Sequence, residues 1–231
     1  MNTLKHQDVL NYIASLQIKP QTINHHLKDL RNYFNYLIDQ EELLYNPVRG
    51  IEVRNPTKVL TSYFKEDELE DIYTNYNPKQ KAYKILLGLV IYQAAEAGTL
   101  QHLETRHINL EKGTIDLPGT KRYNSRKLGL QRQQLFHLYK YLESHKEEKV
   151  FTASRIDSLQ YRSLQQLKQQ TPSIINYQQL RTSVIKNWLK TYNLREVQYY
   201  CGHRYISSTE AYQTIDMEAM KNEIKACHPL G

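Results

Sequence analysis

The spacing of apolar residues predicts that most of the chain is helical. Within the first 45 residues, apolar side chains recur at helical intervals in two stretches, which are separated by Lys19 and Pro20. Proline lacks the amide hydrogen that a helix interior requires, so the first helix should end before it, and Thr22 is a suitable N-cap for the second. The second stretch predicts a helix with one apolar face, made up of Ile23, Leu27, Leu30, Phe34 and Leu37.

Residues 46–61 follow neither the helical nor the strand period, and they contain two Asn-Pro turn signals. This pattern predicts a linker between two domains. We therefore expect a short helical domain over residues 1–56 and a larger domain over residues 60–231.

The larger domain should combine helices with one small sheet. A helix is predicted near Phe64, with Ser62 as its N-cap and Pro78 at its end. Residues 80–93 are apolar on almost every side, which is typical of a helix buried in a core. Residues 108–130 contain short apolar runs and turn sequences that predict antiparallel strands, and the remainder is helical. The expected fold class is mostly α with a small antiparallel β-sheet (α+β).

Composition and charge narrow the function classes. The 231 residues include 31 Lys and Arg against 24 Asp and Glu, a formal net charge of +7, which favours an anionic partner. The longest apolar run, residues 85–92, falls well short of the ~18 residues that a membrane helix needs, and the polar N-terminus does not resemble a secretion signal. With only two cysteines, no disulfide framework is expected, so we predict a cytoplasmic protein without a membrane partner.

Several common chemistries lack their motifs in this sequence. It contains no Gly-rich phosphate loop, no dinucleotide-binding glycine motif and no His-Glu-x-x-His zinc motif. His25 and His26 are adjacent, and adjacent residues do not share a helix face, so surface positions are favoured over a metal site. Neither a metal nor another cofactor is expected.

Three segments carry residues suited to phosphate chemistry, namely residues 108–115 together with 120–130, then 178–181, and then 201–212. In the third, a Gly-His pair is followed two residues later by Ile-Ser-Ser-Thr-Glu-Ala-Tyr, so that Tyr212 lies nine residues after His203. Together with the helix near Thr22 and the turn that contains Pro47, and in this order, the segments resemble the tyrosine recombinase (phage integrase) family over nearly the whole chain.

The resemblance implies a fold, a partner and a reaction. In that family, a helical core-binding domain and a catalytic domain form a C-shaped clamp around double-stranded DNA. A tyrosine attacks the scissile phosphate and forms a 3′-phosphotyrosine without metal or ATP, while cations stabilise the charged phosphate. By position, Tyr212 matches the nucleophile, Arg181 a phosphate-binding arginine, His203 an assisting histidine and Lys121 the lysine that protonates the leaving oxygen.

Two positions depart from the family pattern. Glu96 stands where the first phosphate-binding arginine is expected, and Gln178 replaces a histidine. Losing a single stabilising donor typically costs about 10²–10³ in rate, and a reversed charge should cost more. Gln178 can still form hydrogen bonds but cannot transfer a proton. Arg181 also has a structural alternative, an ion pair with Glu96.

The resemblance and its departures favour a DNA-binding protein of site-specific recombination or integration with impaired or lost strand cleavage, acting as an accessory or architectural subunit. One alternative is an active recombinase in which another basic residue, such as Arg106 or Arg122, or a partner subunit replaces the missing arginine. Another alternative is a transcriptional regulator derived from a recombinase.

The basic residues predict where DNA binds. The expected DNA-contacting residues are Thr22, Lys28, Arg31, Lys121, Arg122, Arg126, Lys127 and Arg204. Family members exchange the segment after the nucleophile between protomers, and residues 214–226 have apolar side chains near helical spacing. The resemblance implies a homo-oligomer, or a hetero-assembly with another recombinase, in which that segment docks in trans on DNA. The alternative is a helix that folds back onto the core of its own chain.

Overall fold

A computed structural model describes residues 4–52, 62–152 and 156–213. The chain divides into two compact units, Met1–Val59 and Leu60–Gly231. Helices account for most of the described residues, and one three-stranded antiparallel sheet accompanies them, so the predicted fold class is confirmed. The segment predicted to dock in trans lies outside the described residues.

The first unit contains two helices, α1 (His6–Ser15) and α2 (Pro20–Asp39). The break between them lies where the sequence predicted it, but the N-cap of α2 is Lys19, with proline in the first turn. Proline suits that position because its fixed φ is already helical and its missing amide hydrogen is not needed there. The prediction of Thr22 as the N-cap is therefore wrong.

The turn after α2 packs into the first unit, so the prediction that residues 46–61 form a linker is wrong for residues 46–51. Val48 and Ile51 are buried in the same core as the apolar faces of both helices. The side-chain amide of Asn46 donates to the Arg31 carbonyl at 3.0 Å, and its side-chain oxygen accepts from the Val48 amide at 3.0 Å. The first bond holds the turn against α2, and the second closes the turn itself.

The second unit is built around one buried helix. Its helices are α3 (Glu66–Asn75), α4 (Lys81–Gln93), α5 (Ala97–Gln101), α6 (Arg132–Leu142), α7 (Ile156–Gln170), α8 (Tyr177–Thr191) and α9 (Leu194–Cys201). Residues 207–213 are also helical. As predicted, α4 is buried along most of its length, and α3, α6, α7 and α8 pack around it. The N-cap of α3 is Lys65, so the prediction of Ser62 is wrong.

The sheet contains β1 (Ile108–Asn109), β2 (Thr114–Leu117) and β3 (Arg126–Gly129), paired in that order. The connection between β2 and β3, which we call the basic turn (residues 118–125), packs against the end of α9. The Asn124 amide donates to the Gly202 carbonyl at 2.7 Å, and Tyr123 forms an isolated antiparallel bridge with His203. The basic turn is thereby fixed beside the third motif segment.

One buried cation of α4 has its own binding partners. The ammonium of Lys84 donates to the carbonyls of Tyr73, Thr74 and Tyr76, the last at 2.6 Å, and so satisfies the C-terminal end of α3. Burial lowers the pKa of Lys84 to about 8.

Of the helices in the described ranges, none is both long and apolar enough to cross a membrane.

Candidate active site

Residues of all three motif segments meet at one side of the second unit. Gln178 and Arg181 lie on α8, whose N-cap Asn176 accepts a hydrogen bond from the Gln179 amide at 2.8 Å. His203 follows the left-handed Gly202 that ends α9, and Tyr212 lies on the helical residues 207–213. The fold therefore brings together the four residues that the family resemblance selected from α8 and the third segment.

Main-chain carbonyls hold the guanidinium of Arg181. Its Nε donates to the Ala94 carbonyl at 2.8 Å, and its Nη2 donates to the Cys201 carbonyl at 3.3 Å. The ring of Tyr123 lies 5.0 Å from the guanidinium carbon, measured to the ring centroid. Arg181 is only 3% exposed, so it is fixed in place before any ligand arrives.

The hydrogen bonds of His203 determine its tautomer. Its Nε2 lies 3.5 Å from Arg181 Nη2, and its Nδ1 lies 2.9 Å from the Thr209 hydroxyl oxygen. Because a guanidinium only donates, Nε2 must be the unprotonated nitrogen and Nδ1 carries the proton. Burial, together with the charges of Arg181 and Arg126, lowers the pKa of His203 to about 4. His203 is therefore neutral at neutral pH.

This neutral histidine predicts a loss of stability in acid. Between pH 6.5 and pH 4 the unfolded chain binds a proton at His203 that the folded chain does not, so folding weakens as the pH falls through that window. The full loss should be about 3 kcal/mol. We expect His203→Gln to remove this part of the pH dependence when urea unfolding is compared at pH 7 and near pH 4. Equal pH dependence in both proteins would contradict the assignment.

Tyr212 contacts His203 and Gln178. Its ring stacks on His203, with centroids 5.9 Å apart and planes inclined by 13°, and its side chain forms a hydrogen bond with that of Gln178. Burial raises the pKa of Tyr212, whereas the Arg181 charge and the Gln178 bond act in the opposite direction. The phenol is therefore protonated at neutral pH and must lose its proton before it can act as a nucleophile.

Glu96 uses its carboxylate as a helix cap. The two carboxylate oxygens accept from the amides of Gly98 and Thr99, both at 2.7 Å, and one also accepts from the Thr99 hydroxyl at 2.8 Å. The ion pairs within the described residues do not include Glu96, so the alternative in which it pairs with Arg181 is wrong. The amides at the start of α5 satisfy the carboxylate instead.

Arg126 lies inside the protein rather than on the outer face of the basic turn. It is 3% exposed, and it is the first residue of β3, paired with the buried Leu117. Burial, with a further contribution from the Arg181 charge, lowers its pKa to about 10, and the charges of Cys201 and Glu96 act in the opposite direction. Strand alternation could have revealed this, because Arg126 shares a sheet face with Leu128.

The other basic candidates are distributed over both units. Lys121, Arg122 and Arg204 are exposed around an open depression that Tyr212 and His203 also line. Lys127 is exposed and pairs with Asp116 at 3.7 Å, whereas Arg106 pairs with Glu104. In the first unit, Thr22 and Lys28 are exposed, and Arg31 is half-buried with a hydrogen bond of 3.2 Å to the Ile51 carbonyl.

Within the described ranges, no three His, Cys, Asp or Glu side chains are grouped closely enough to hold a metal ion.

The sequence is similar to a known protein family and to several of its members. Residues 62–219 match the model of the phage integrase family. Tyrosine recombinase XerC of Actinobacillus succinogenes is 25% identical over 217 residues, which cover 88% of this chain and 73% of that protein. XerC of Vibrio cholerae is 25% identical over 227 residues, which cover 92% and 73%.

Solved structures share the fold. The Tn1549 transposon integrase in complex with transposon right end DNA matches with a TM-score of 0.73 and 12% identity, covering 95% of this chain and 86% of that one. A lambda integrase dimer bound to a COC' core site matches with a TM-score of 0.74 and 14% identity, covering 92% and 65%.

Proposed function

Because the chain belongs to the phage integrase family of tyrosine recombinases, we propose that it binds double-stranded DNA in a site-specific recombination or integration system, with strand cleavage impaired or lost. One observation carries this proposal. At the position of the family's first arginine, the chain has a carboxylate that caps α5, while Arg181, His203 and Tyr212 remain together.

The remaining side chains fit the first half of the family's reaction. Arg181 would bind a nonbridging phosphate oxygen, and the Tyr212 hydroxyl would attack the phosphorus and release the 5′-oxygen of the next nucleotide. As the bond from the Tyr212 oxygen to phosphorus forms, the phenol proton passes to solvent, and the leaving 5′-oxygen takes up a proton from Lys121 on the basic turn. Each of these roles uses a group that the fold holds at or beside the depression.

Two features of the site oppose the reaction. The carboxylate of Glu96 lies close enough to Arg126 to act on it electrostatically, so it reduces the positive field where a phosphate would gain negative charge. Gln178 can position the Tyr212 hydroxyl, but an amide cannot accept its proton. Binding of a phosphate is expected to survive these changes better than cleavage, because cleavage needs more charge stabilisation.

The proposed role is that of an accessory or architectural subunit. The lambda integrase structures include a dimer bound to a core site and a tetramer bound to a Holliday junction. By analogy, we propose that this protein assembles on DNA with like protomers or with an active recombinase. Besides Arg181, the proposed DNA contacts are Thr22, Lys28, Arg31, Lys121, Arg122, Lys127 and Arg204.

The proposal predicts binding that depends steeply on salt. The logarithm of the affinity for a duplex should fall linearly with the logarithm of the salt concentration, and each lost phosphate contact should flatten this slope by about 0.9. We therefore expect Lys121→Gln and Arg122→Gln each to flatten the slope in fluorescence anisotropy titrations. Lys112→Gln, in the turn at the other end of β2, is the matched control and should leave the slope unchanged. Affinity that is independent of salt, or absent, would refute DNA binding.

An active recombinase is the second candidate. It is favoured by the placement of Tyr212, which meets His203 and Gln178 of its own chain and so needs no partner to reach the site. The third candidate, a transcriptional regulator, has no support from the relatives compared above. The first two candidates differ in whether a covalent DNA adduct forms.

A further inference from the structure

The guanidinium of Arg126 lacks the partners that a buried charge normally has. All three of its nitrogens are buried, and none has a hydrogen-bond partner among the residues that the structure describes. An isolated buried charge is strongly unfavourable unless it is paired or bound to a ligand. Because five donor hydrogens are left unused, the side chain is suited to an anion with several acceptor oxygens.

Lys84 provides the contrast within the same unit. It is similarly buried, at 6% exposure, but it donates to three main-chain carbonyls. The charge of Lys84 therefore holds α3 against α4, as a structural cation should. The guanidinium of Arg126 forms no hydrogen bond within the described residues, so its charge does not join two elements in this way.

Arg126 lies beside the phosphate-binding residue of the proposed reaction. The charges of Arg126 and Arg181 act on each other, and both act on the thiol of Cys201 at the end of α9. Glu96 is the nearby anion, but its oxygens are bonded at the start of α5 and it forms no ion pair with Arg126 within the described ranges. Within the described ranges, neither of these two neighbouring guanidiniums forms an ion pair with a protein carboxylate.

The basic turn and the Arg126 guanidinium both pack against Gly202. A Cβ at Gly202 would lie 2.5 Å from Arg126 Nη1 and 2.8 Å from the Asn124 carbonyl oxygen, so the guanidinium lies directly against this glycine. The Asn124 amide also bonds to the Gly202 carbonyl. An anion can therefore reach Arg126 only if the basic turn moves away from Gly202.

We propose that Arg126 is a second phosphate-binding residue, which joins Arg181 on a single phosphate group of DNA. The inference rests on the proposed function, because it assumes that a DNA phosphate enters this site. It assigns a DNA contact to a buried residue of β3. It also explains why an unpaired charge is kept in the core.

The test compares Arg126→Met with Lys84→Met in the full-length chain, with inorganic phosphate as the probe. Melting temperatures are measured in phosphate and in chloride at equal ionic strength. We expect phosphate to raise the melting temperature of the wild type. Arg126→Met should melt above the wild type in chloride, because an unpaired charge is removed, and should lose the response to phosphate. Lys84→Met should melt below the wild type and keep that response.

Affinity for a duplex supplies an independent readout. Because Arg126→Met removes charged hydrogen bonds to phosphate, we expect it to weaken duplex binding about 10- to 100-fold. The log–log slope of affinity against salt should flatten by about 0.9, the value for one phosphate contact. Arg126→Lys, which keeps the charge but not the planar fork, should fall between the wild type and Arg126→Met in both assays.

The outcomes separate this inference from the proposed function. If Arg126→Met melts lower, or fails to fold, and Arg126→Lys keeps the full phosphate response, Arg126 is a structural residue and the inference is wrong. The same holds if phosphate does not stabilise the wild type. In either case, salt-dependent binding of a duplex would leave the proposed function standing, whereas the absence of such binding would remove it.

Discussion

The double variant Glu96→Arg with Gln178→His should cleave DNA at least about 10²-fold faster than the wild type. The arginine replaces an anion by a cation where the phosphate gains charge, and the histidine can exchange a proton with the Tyr212 hydroxyl, which Gln178 now contacts. Because Arg181 and His203 are already in place, no other part of the pocket needs to be rebuilt.

The measurement is the yield of covalent complex on a denaturing gel, with a nicked duplex that carries the recombination site as the substrate. Tyr212→Phe in each background shows whether the adduct forms at this tyrosine. Replacing Glu96 also removes the cap of α5, at a cost of about 1 kcal/mol, so the melting temperature of each variant must be recorded. A strong adduct from the unmodified chain would establish the active recombinase instead.

Gly202→Ala should destabilise the second unit by about 2–4 kcal/mol. Gly202 has a φ of +69°, which is costly for any residue with a Cβ, and the new Cβ would lie 2.8 Å from the Asn124 carbonyl oxygen of the basic turn. The main chain cannot easily yield at this contact, because the Asn124 amide is bonded to the same glycine.

Gly113→Ala is the matched control for this prediction. Its φ is +60°, but nothing lies within 4 Å of the position of the new Cβ. We therefore expect only the conformational cost, about 1 kcal/mol, in urea denaturation of this variant. Equal losses for the two substitutions would show that the basic turn does not pack tightly against Gly202.

The elements with long runs of apolar or alternating residues could be predicted from the sequence. The predictions were wrong where a short segment was compatible with two different structures. The apolar residues of α4 and the strands of the sheet were identified because each pattern continues over several residues. The start of α2 was placed too late, because Thr22 is a good cap but Pro20 is a better first residue. Val48 and Ile51 were assigned to a linker because two apolar residues in a turn show no period.

The candidate site was predictable in part. The motif spacing selected Arg181, His203 and Tyr212, which the fold brings together. The cap formed by Glu96 could not be foreseen, because it depends on which main-chain amides lie nearby once α5 has formed. The burial of Arg126 was missed although strand alternation indicates it, because its charge favoured an exposed position.

The attachment of Arg181 to main-chain atoms affects how the site tolerates mutation. The carbonyls of Ala94 and Cys201, which accept its hydrogen bonds, are present whatever side chains those positions carry. Substitutions around the pocket can therefore accumulate without releasing this guanidinium, provided that α4, α8 and α9 keep their packing. A pocket anchored in this way can lose one catalytic function while it retains the geometry for another. It is therefore a suitable starting point for engineering a new activity by substituting only the exposed residues around the depression.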